Sequence, residues 1–268
     1  MLGCVGRVQR WISLFTLATA VCQSASAEGW DATVEPPTPV LAWREISGGG
    51  IASLNGWSLY SGSTFAPFGD LASDGFRMRI SSGYGHYHYT KPARFYYTCP
   101  KPTLVCPADR VMGRVTFGDI LAGYQFSTGP LTVKAFAGFA TDTQTLSRPD
   151  SFNESAGAAT GFRGVIEAWA NISAKSWAAF DGSWTSAHDG YAAKVRLGYR
   201  LVDSVSVGLQ EEVAGNIAGR RYNSGAFVRY EWSWGEAAAS GGIATETGDF
   251  RNVSRDQLWS SVNVSVRY

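Results

Sequence analysis

Residues 191–201 read YAAKVRLGYRL and alternate strictly. Tyr191, Ala193, Val195, Leu197, Tyr199 and Leu201 fall on one face; Ala192, Lys194, Arg196, Gly198 and Arg200 fall on the other. Only a strand sorts side chains with a period of two. Residues 222–234 repeat the pattern. Tyr222, Ala226, Val228, Tyr230, Trp232 and Trp234 oppose Asn223, Phe227, Arg229, Glu231 and Ser233. The final segment sets Leu258, Val262, Val264, Val266 and Tyr268 against Ser261, Asn263, Ser265 and Arg267. Each segment therefore has one apolar and one polar face.

Alternation does not say which face points inward. A soluble barrel fills its interior with apolar side chains, whereas an outer-membrane barrel turns them to lipid. Three features favour the second. The segments are longer than the usual soluble strand of about 5–6 residues. Aromatics gather near segment ends as a girdle would: Tyr84, Tyr87, Tyr89, Tyr199, Trp232, Trp234 and Tyr268. The sequence also ends on an aromatic in phase with the apolar face.

Strands are expected near 41–47, 56–66, 75–89, 113–127, 131–142, 161–173, 176–187, 191–201, 204–214, 222–234, 236–247 and 257–268. Tight connections at 128–129, 174–175, 201–204 and 235 alternate with longer ones at 90–112, 143–160, 215–221 and 248–256. The Asp-Gly turn at 188–190 breaks this alternation. Short periplasmic turns and longer outer loops are the habit of membrane barrels. The expectation is an all-β, up-and-down antiparallel transmembrane barrel over residues 41–268. It has about twelve strands, or ten if the faint segment at 41–47 is not one.

The start of the sequence reads as a secretory signal over residues 1–27. Arg7 and Arg10 precede a short apolar stretch at 11–22, and Ala25-Ser26-Ala27 is a small-residue cleavage site. Residues 28–40 read as an extended, Pro-rich lead-in. Beyond the signal no apolar run is long enough for a membrane helix. These features point to a Gram-negative envelope, with outer-membrane lipid as the barrel's surroundings. Cys99 and Cys106, an even pair in a Pro-rich loop of an oxidising compartment, are expected to form a disulfide.

Formal net charge is +1, which excludes nucleic acid as an electrostatically driven partner. Charged residues make up only 17% and concentrate on the polar strand faces. Arg77, Arg79, Arg163, Glu167, Lys194, Arg196, Arg200, Glu212, Arg229, Glu231, Asn263 and Arg267 would line a lumen. The same charges would serve equally as a conduit lining or as a salt-bridge plug, and both readings stand.

Catalytic and metal motifs are scarce. The histidines are His86, His88 and His188. His86 and His88 sit two apart on one strand face, but zinc needs further ligands, so they read as rim residues. No metal ligand set and no cofactor are expected. His188-Asp189 reads as a hairpin turn rather than part of a nucleophilic triad.

The segment DGFRMRISSGYGHYHYT at 74–90 draws these threads together. Phe76, Met78 and Ile80 are expected to face lipid and Arg77 and Arg79 the interior. Tyr84 and Tyr87 differ in phase. A bulge at Gly83 or Gly85 would turn Tyr87 and Tyr89 outward and His86 and His88 inward; without it, the histidines face lipid headgroups.

This segment, with GDILAGYQF at 118–126, LTVKAFAG at 131–138, GFRGVIEAW at 161–169 and YAAKVRLGYRL at 191–201, resembles the BcsS family of cellulose biosynthesis proteins in order and spacing. The loop holding Cys99 and Cys106 is longer than in that family. The resemblance implies a non-catalytic accessory at the outer membrane, partnered by cellulose synthase machinery or a glucan chain. It brings no catalytic residue with it. A barrel enzyme acting on lipid A or a glycan, and a plugged structural barrel, are the alternatives.

Overall fold

A computed structural model describes residues 42–90, 110–150, 153–248 and 255–268. Twelve strands form one closed antiparallel barrel, each paired to its sequence neighbours and β1 to β12. The first half comprises β1 (Arg44–Ser53), β2 (Gly56–Phe65), β3 (Gly75–Thr90), β4 (Arg110–Thr128), β5 (Leu131–Leu146) and β6 (Gly157–Asn171). The second comprises β7 (Ser176–Thr185), β8 (Gly190–Val202), β9 (Val205–Asn216), β10 (Gly219–Trp232), β11 (Gly235–Gly248) and β12 (Arg255–Arg267).

Closure has a simple cause. A sheet edge in hydrocarbon would leave backbone N–H and C=O groups without partners, and each costs several kcal/mol (roughly 2–7 for an unpaired amide). The seam is sealed through its last residues. Arg44 N donates to Tyr268 O at 3.3 Å, and Tyr268 N donates to Arg44 O at 2.9 Å.

The faint segment at 41–47 is a strand, but it begins at Arg44 and runs to Ser53. Its Gly48-Gly49-Gly50 run hid it, because glycines carry no alternation. The connection expected to be long at 215–221 is a two-residue turn, Ile217-Ala218, since β9 and β10 extend to meet it. At the Asp-Gly turn, His188 (φ 54°) and Asp189 (φ 49°) both take the left-handed conformation. One irregularity interrupts β8 against β9, between Arg200 and Val202.

Strand ends sort into two rims. The terminal rim holds Arg44, Tyr268 and the 66–74 loop; the opposite rim, here the loop rim, holds Thr90, Arg110, Leu146, Gly157 and Gly248 at the other strand ends. The exterior is apolar between them. Ile80, Ile120, Phe139 and Phe162 stand in register across β3–β6. They are 49%, 62%, 59% and 65% exposed. Such a row suits contact with hydrocarbon rather than with water.

The interior is polar and aromatic, and it is packed. Bulky rings fit because glycines face them from neighbouring strands. A Cβ on Gly198 would lie 2.1 Å from the Trp177 ring, and one on Gly83 would lie 2.1 Å from Phe117. The signal segment, the lead-in at 28–40 and the Cys99–Cys106 pair lie outside the described residues.

Candidate functional site in the barrel interior

The phase of each strand delivers its charged residues inward. On β3, Arg77 and Arg79 are buried, while Phe76, Met78 and Ile80 are exposed. The same rule brings Arg163 and Glu167 inward from β6, Arg196 from β8 and Arg229 from β10. Lys194, Arg200, Glu231, Asn263 and Arg267 share these inward phases and are partly buried.

Arg79 and Glu167 form the central contact. Nη1 donates to Oε1 at 2.6 Å and Nη2 to Oε2 at 2.9 Å. Their strands are separated around the wall by β4 and β5, so the pair is a chord across the lumen. Arg79 Nε also donates to Thr64 Oγ1 at 3.2 Å, and its guanidinium lies 4.0 Å from the Phe136 ring centre. A planar fork satisfies a carboxylate at both oxygens while its face stacks on a ring, which lysine cannot do.

Arg229 makes the second centre. Its Nε donates to Glu236 Oε2 at 2.9 Å, its Nη2 also bonds that carboxylate, and Nη2 lies 2.8 Å from Glu231 Oε1. The guanidinium sits 4.7 Å from the Trp169 ring and 5.4 Å from that of Trp177. These two indoles stack at 4.2 Å, and Phe227 packs on Trp177 at 5.4 Å. A cation over a desolvated aromatic face is worth about 2 kcal/mol.

Further pairs complete the belt. Arg163 Nε lies 3.4 Å from Asp119 Oδ2, Arg196 Nη2 lies 3.1 Å from Asp181 Oδ2, and Arg267 Nε lies 3.1 Å from Glu45 Oε2. Lys194 Nζ lies 3.8 Å from Glu212 Oε2. Tyr60 donates its hydroxyl to Asn263 Oδ1 at 2.6 Å. Arg200 reaches Asn171 Oδ1 at 2.9 Å and the Ala174 carbonyl at 3.2 Å, at the terminal rim.

Three proposed positions change meaning. Arg77 anchors the 66–74 loop rather than lining open space. Its guanidinium donates to the carbonyls of Asp70 (3.1 Å), Leu71 (3.4 Å) and Ser73, all in the 66–74 loop. Gln125 Nε2 adds bonds to the Leu71 and Ser73 carbonyls at 3.1 and 3.3 Å. The loop is held further by Leu71 N, which donates to the Ala42 carbonyl at 2.8 Å.

Tyr87 and Tyr89 are not girdle residues. Both are buried inside the barrel, and His86 and His88 take the outward phase. The reason is the absence of a bulge. Gly83 and Gly85 stay in register with β2 and β4, so the alternation never changes phase. Gly83 makes room for Phe117 instead of breaking the ladder. Tyr87 donates to Gln144 Oε1 at 2.9 Å and Tyr89 to Asp150 Oδ2 at 2.7 Å, while Asn153 Nδ2 donates to the Tyr89 hydroxyl at 3.4 Å. Asp150 and Asn153 are thereby held against the Tyr89 hydroxyl. Tyr84, Tyr199, Trp232, Trp234 and Tyr268 do hold the outward phase of a girdle.

Sequence reasoning passed over Glu45, Asp119, Lys134, Asp181 and Glu236, the counter-charges, and the buried Trp169 and Trp177. A signal was available for Trp169: it shares the odd phase of Arg163 and Glu167. His188 lies in the β7–β8 turn, where burial lowers its pKa and a hydrogen bond with the Gly157 backbone opposes that shift. Its Nε2 meets no hydrogen-bonding partner among the described residues. Among those residues no three His, Cys, Asp or Glu side chains converge as a metal site.

The comparisons with known proteins extend this picture. No curated protein matches the chain in sequence. In fold, the KdgM porin is 12% identical, with 84% of this chain and 99% of that chain covered at a TM-score of 0.45. Acinetobacter baumannii Omp33, an outer membrane protein, is 12% identical, with coverage of 85% and 98% and a TM-score of 0.39. The transport unit of the Escherichia coli autotransporter AIDA-I is 10% identical, with coverage of 89% and 93% and a TM-score of 0.45. The family model described as cellulose biosynthesis protein BcsS matches residues 47–268, nearly the whole barrel, and the chain belongs to that family.

Proposed function

We propose that this protein is a non-catalytic outer-membrane accessory of cellulose biosynthesis whose barrel is closed at rest. The observation that carries the closed state is the buried Arg79–Glu167 chord. Arg79 and Glu167 are 6% and 2% exposed, and Lys134, Asp181, Arg196, Arg229 and Glu236 around the same belt are each below a tenth. A water-filled pore would wet these groups. Large porins of 16–18 strands leave an aqueous channel, whereas small barrels fill with side chains, and this twelve-stranded interior behaves as the latter. The apolar exterior is what supports the membrane location. The family supplies the cellulose connection.

The non-catalytic reading rests on the interior chemistry. Glu45, Asp119, Glu167, Asp181, Glu212, Glu231 and Glu236 each pair with a guanidinium or ammonium group rather than facing a cleft. The His188 ring engages the Gly157 backbone rather than a nucleophile.

Deletion of the gene, with extracellular cellulose measured against wild type, tests the biological role: reduced or altered cellulose is expected, and unchanged cellulose sinks it. Planar-bilayer recording tests the closed state: the purified barrel should be silent, and steady conductance would identify an open conduit instead. Membrane fractionation tests the location. A gated glucan conduit is the second reading. The stacked Trp169–Trp177 pair favours it, since indole faces suit sugar rings, but the belt must open before a chain can reach them.

A further inference from the structure

The loop-rim half of the exterior on β2–β5 is chemically unlike the rest. Trp57, His86, Arg114 and Thr145 are successive register partners across these four strands. All four point outward, with Arg114 and Thr145 exposed. The Trp57 and His86 rings lie 5.3 Å apart, and Trp57 and Tyr84 lie 5.9 Å apart. The Tyr84 hydroxyl meets His86 Nε2 at 2.6 Å. With Nε2 accepting, Nδ1 carries the ring's proton and remains a donor. Arg110, also exposed and in the same phase, stands four residues further toward the rim, beyond Met112.

Height fixes what this patch meets. Tyr124 marks the terminal-side girdle of β4, ten residues from Arg114 in the same outward phase. At about 3.3 Å per residue and a tilt of about 40° that is roughly 25 Å, the height of a barrel's apolar band. Arg114 therefore sits where hydrocarbon gives way to headgroups. Charge fixes the sign. No carboxylate occupies the outward phase of β2–β5 among the described residues, and neither Arg110 nor Arg114 has an ion-pair partner there. Elsewhere on the exterior, Glu211 on β9 and Asp256 on β12 are exposed.

We propose that the Trp57–His86–Arg114 row, with Arg110 and Tyr84, binds the phosphate of a phosphorylated glycolipid of the surrounding leaflet. Arg114 takes the phosphate through its planar fork. His86 and Arg110 add donors, and Trp57 and Tyr84 pack against the apolar face of the sugar. The proposal rests on the outer-membrane placement above. Binding to purified protein is independent of where the cell puts it, so fractionation and binding fail separately.

The test is native mass spectrometry of the full-length barrel in detergent with diphosphorylated lipid A, with phosphate-free lipid A, and with inorganic phosphate as competitor. Wild type should retain the diphosphorylated lipid. R110E/R114E should weaken retention about tenfold or more, as expected for loss of charge-assisted bidentate contact. R220E, on the opposite wall, should leave retention unchanged. Heat-modifiability on gels confirms folding, and R110Q/R114Q serves if the reversed charges do not fold. Undiminished binding by a folded double variant overturns the proposal. Equal retention of phosphate-free lipid overturns it too, as does displacement by inorganic phosphate at matched concentration, which would mark a free-phosphate site.

Discussion

Arg79 on β3 and Glu167 on β6 join guanidinium to carboxylate at 2.6 and 2.9 Å across a barrel whose wall puts two strands between them. Replacing either partner strands the other charge among packed side chains, which costs about 3–5 kcal/mol. Arg79→Ala and Glu167→Ala should each destabilise the barrel by that order in denaturant unfolding from detergent or lipid. The double variant should cost less than the sum. Additive losses would show that the two residues do not act as a pair.

Trp177 occupies space that any side chain on Gly198 would need. Gly198→Ala should destabilise by about 1–3 kcal/mol through overpacking. The penalty should shrink in a Trp177→Leu background, which removes the ring from that space. The same penalty in both backgrounds would place the strain elsewhere.

Ile120 is exposed on the apolar row, while its chain neighbour Leu121 is buried inside. An arginine near the bilayer midplane of a barrel's lipid face costs about 2–4 kcal/mol. Ile120→Arg should lower stability by that order in liposomes and by far less in the rim position Met112→Arg. Equal tolerance at both sites would contradict a membrane-spanning exterior.

His188 supplies a pH signature. Burial lowers its pKa in the fold, so the folded state takes up a proton less readily than the unfolded chain, whose histidines titrate near about 6.5. Above that pH both states are neutral and the residue adds no pH dependence. As pH falls through it, the unfolded chain protonates first and stability declines until the folded pKa is reached. Unfolding of wild type between mildly alkaline and mildly acidic pH should show this decline, and His188→Asn should lack its share. Identical profiles would remove the residue from the balance.

Most of the strand faces were legible in the residues themselves. The alternation in 74–82 and 191–201 assigned Phe76, Ile80, Val195 and Leu197 outward and Arg77, Arg79, Lys194 and Arg196 inward, and the barrel keeps those faces. β1 was harder, because three consecutive glycines carry no pattern. Tyr87 and Tyr89 were misread because an aromatic near a strand end has two possible places, an external girdle or an internal plug of the mouth. Composition does not separate them.

Alternation is a property of one strand, so the sequence by itself determined strand faces, their approximate number and the class of barrel. It also carried the likeness to the family of cellulose biosynthesis proteins. Which inward charges meet was decided only by the closed sheet. Closure brings β3 within reach of β6 and β10 within reach of β6 and β7. The same is true of the continuous register past Gly83 and Gly85, which turned two tyrosines inward and two histidines outward. A period of two records which side of the wall a residue occupies; partners across the lumen depend on curvature, shear and the room that glycines leave for rings.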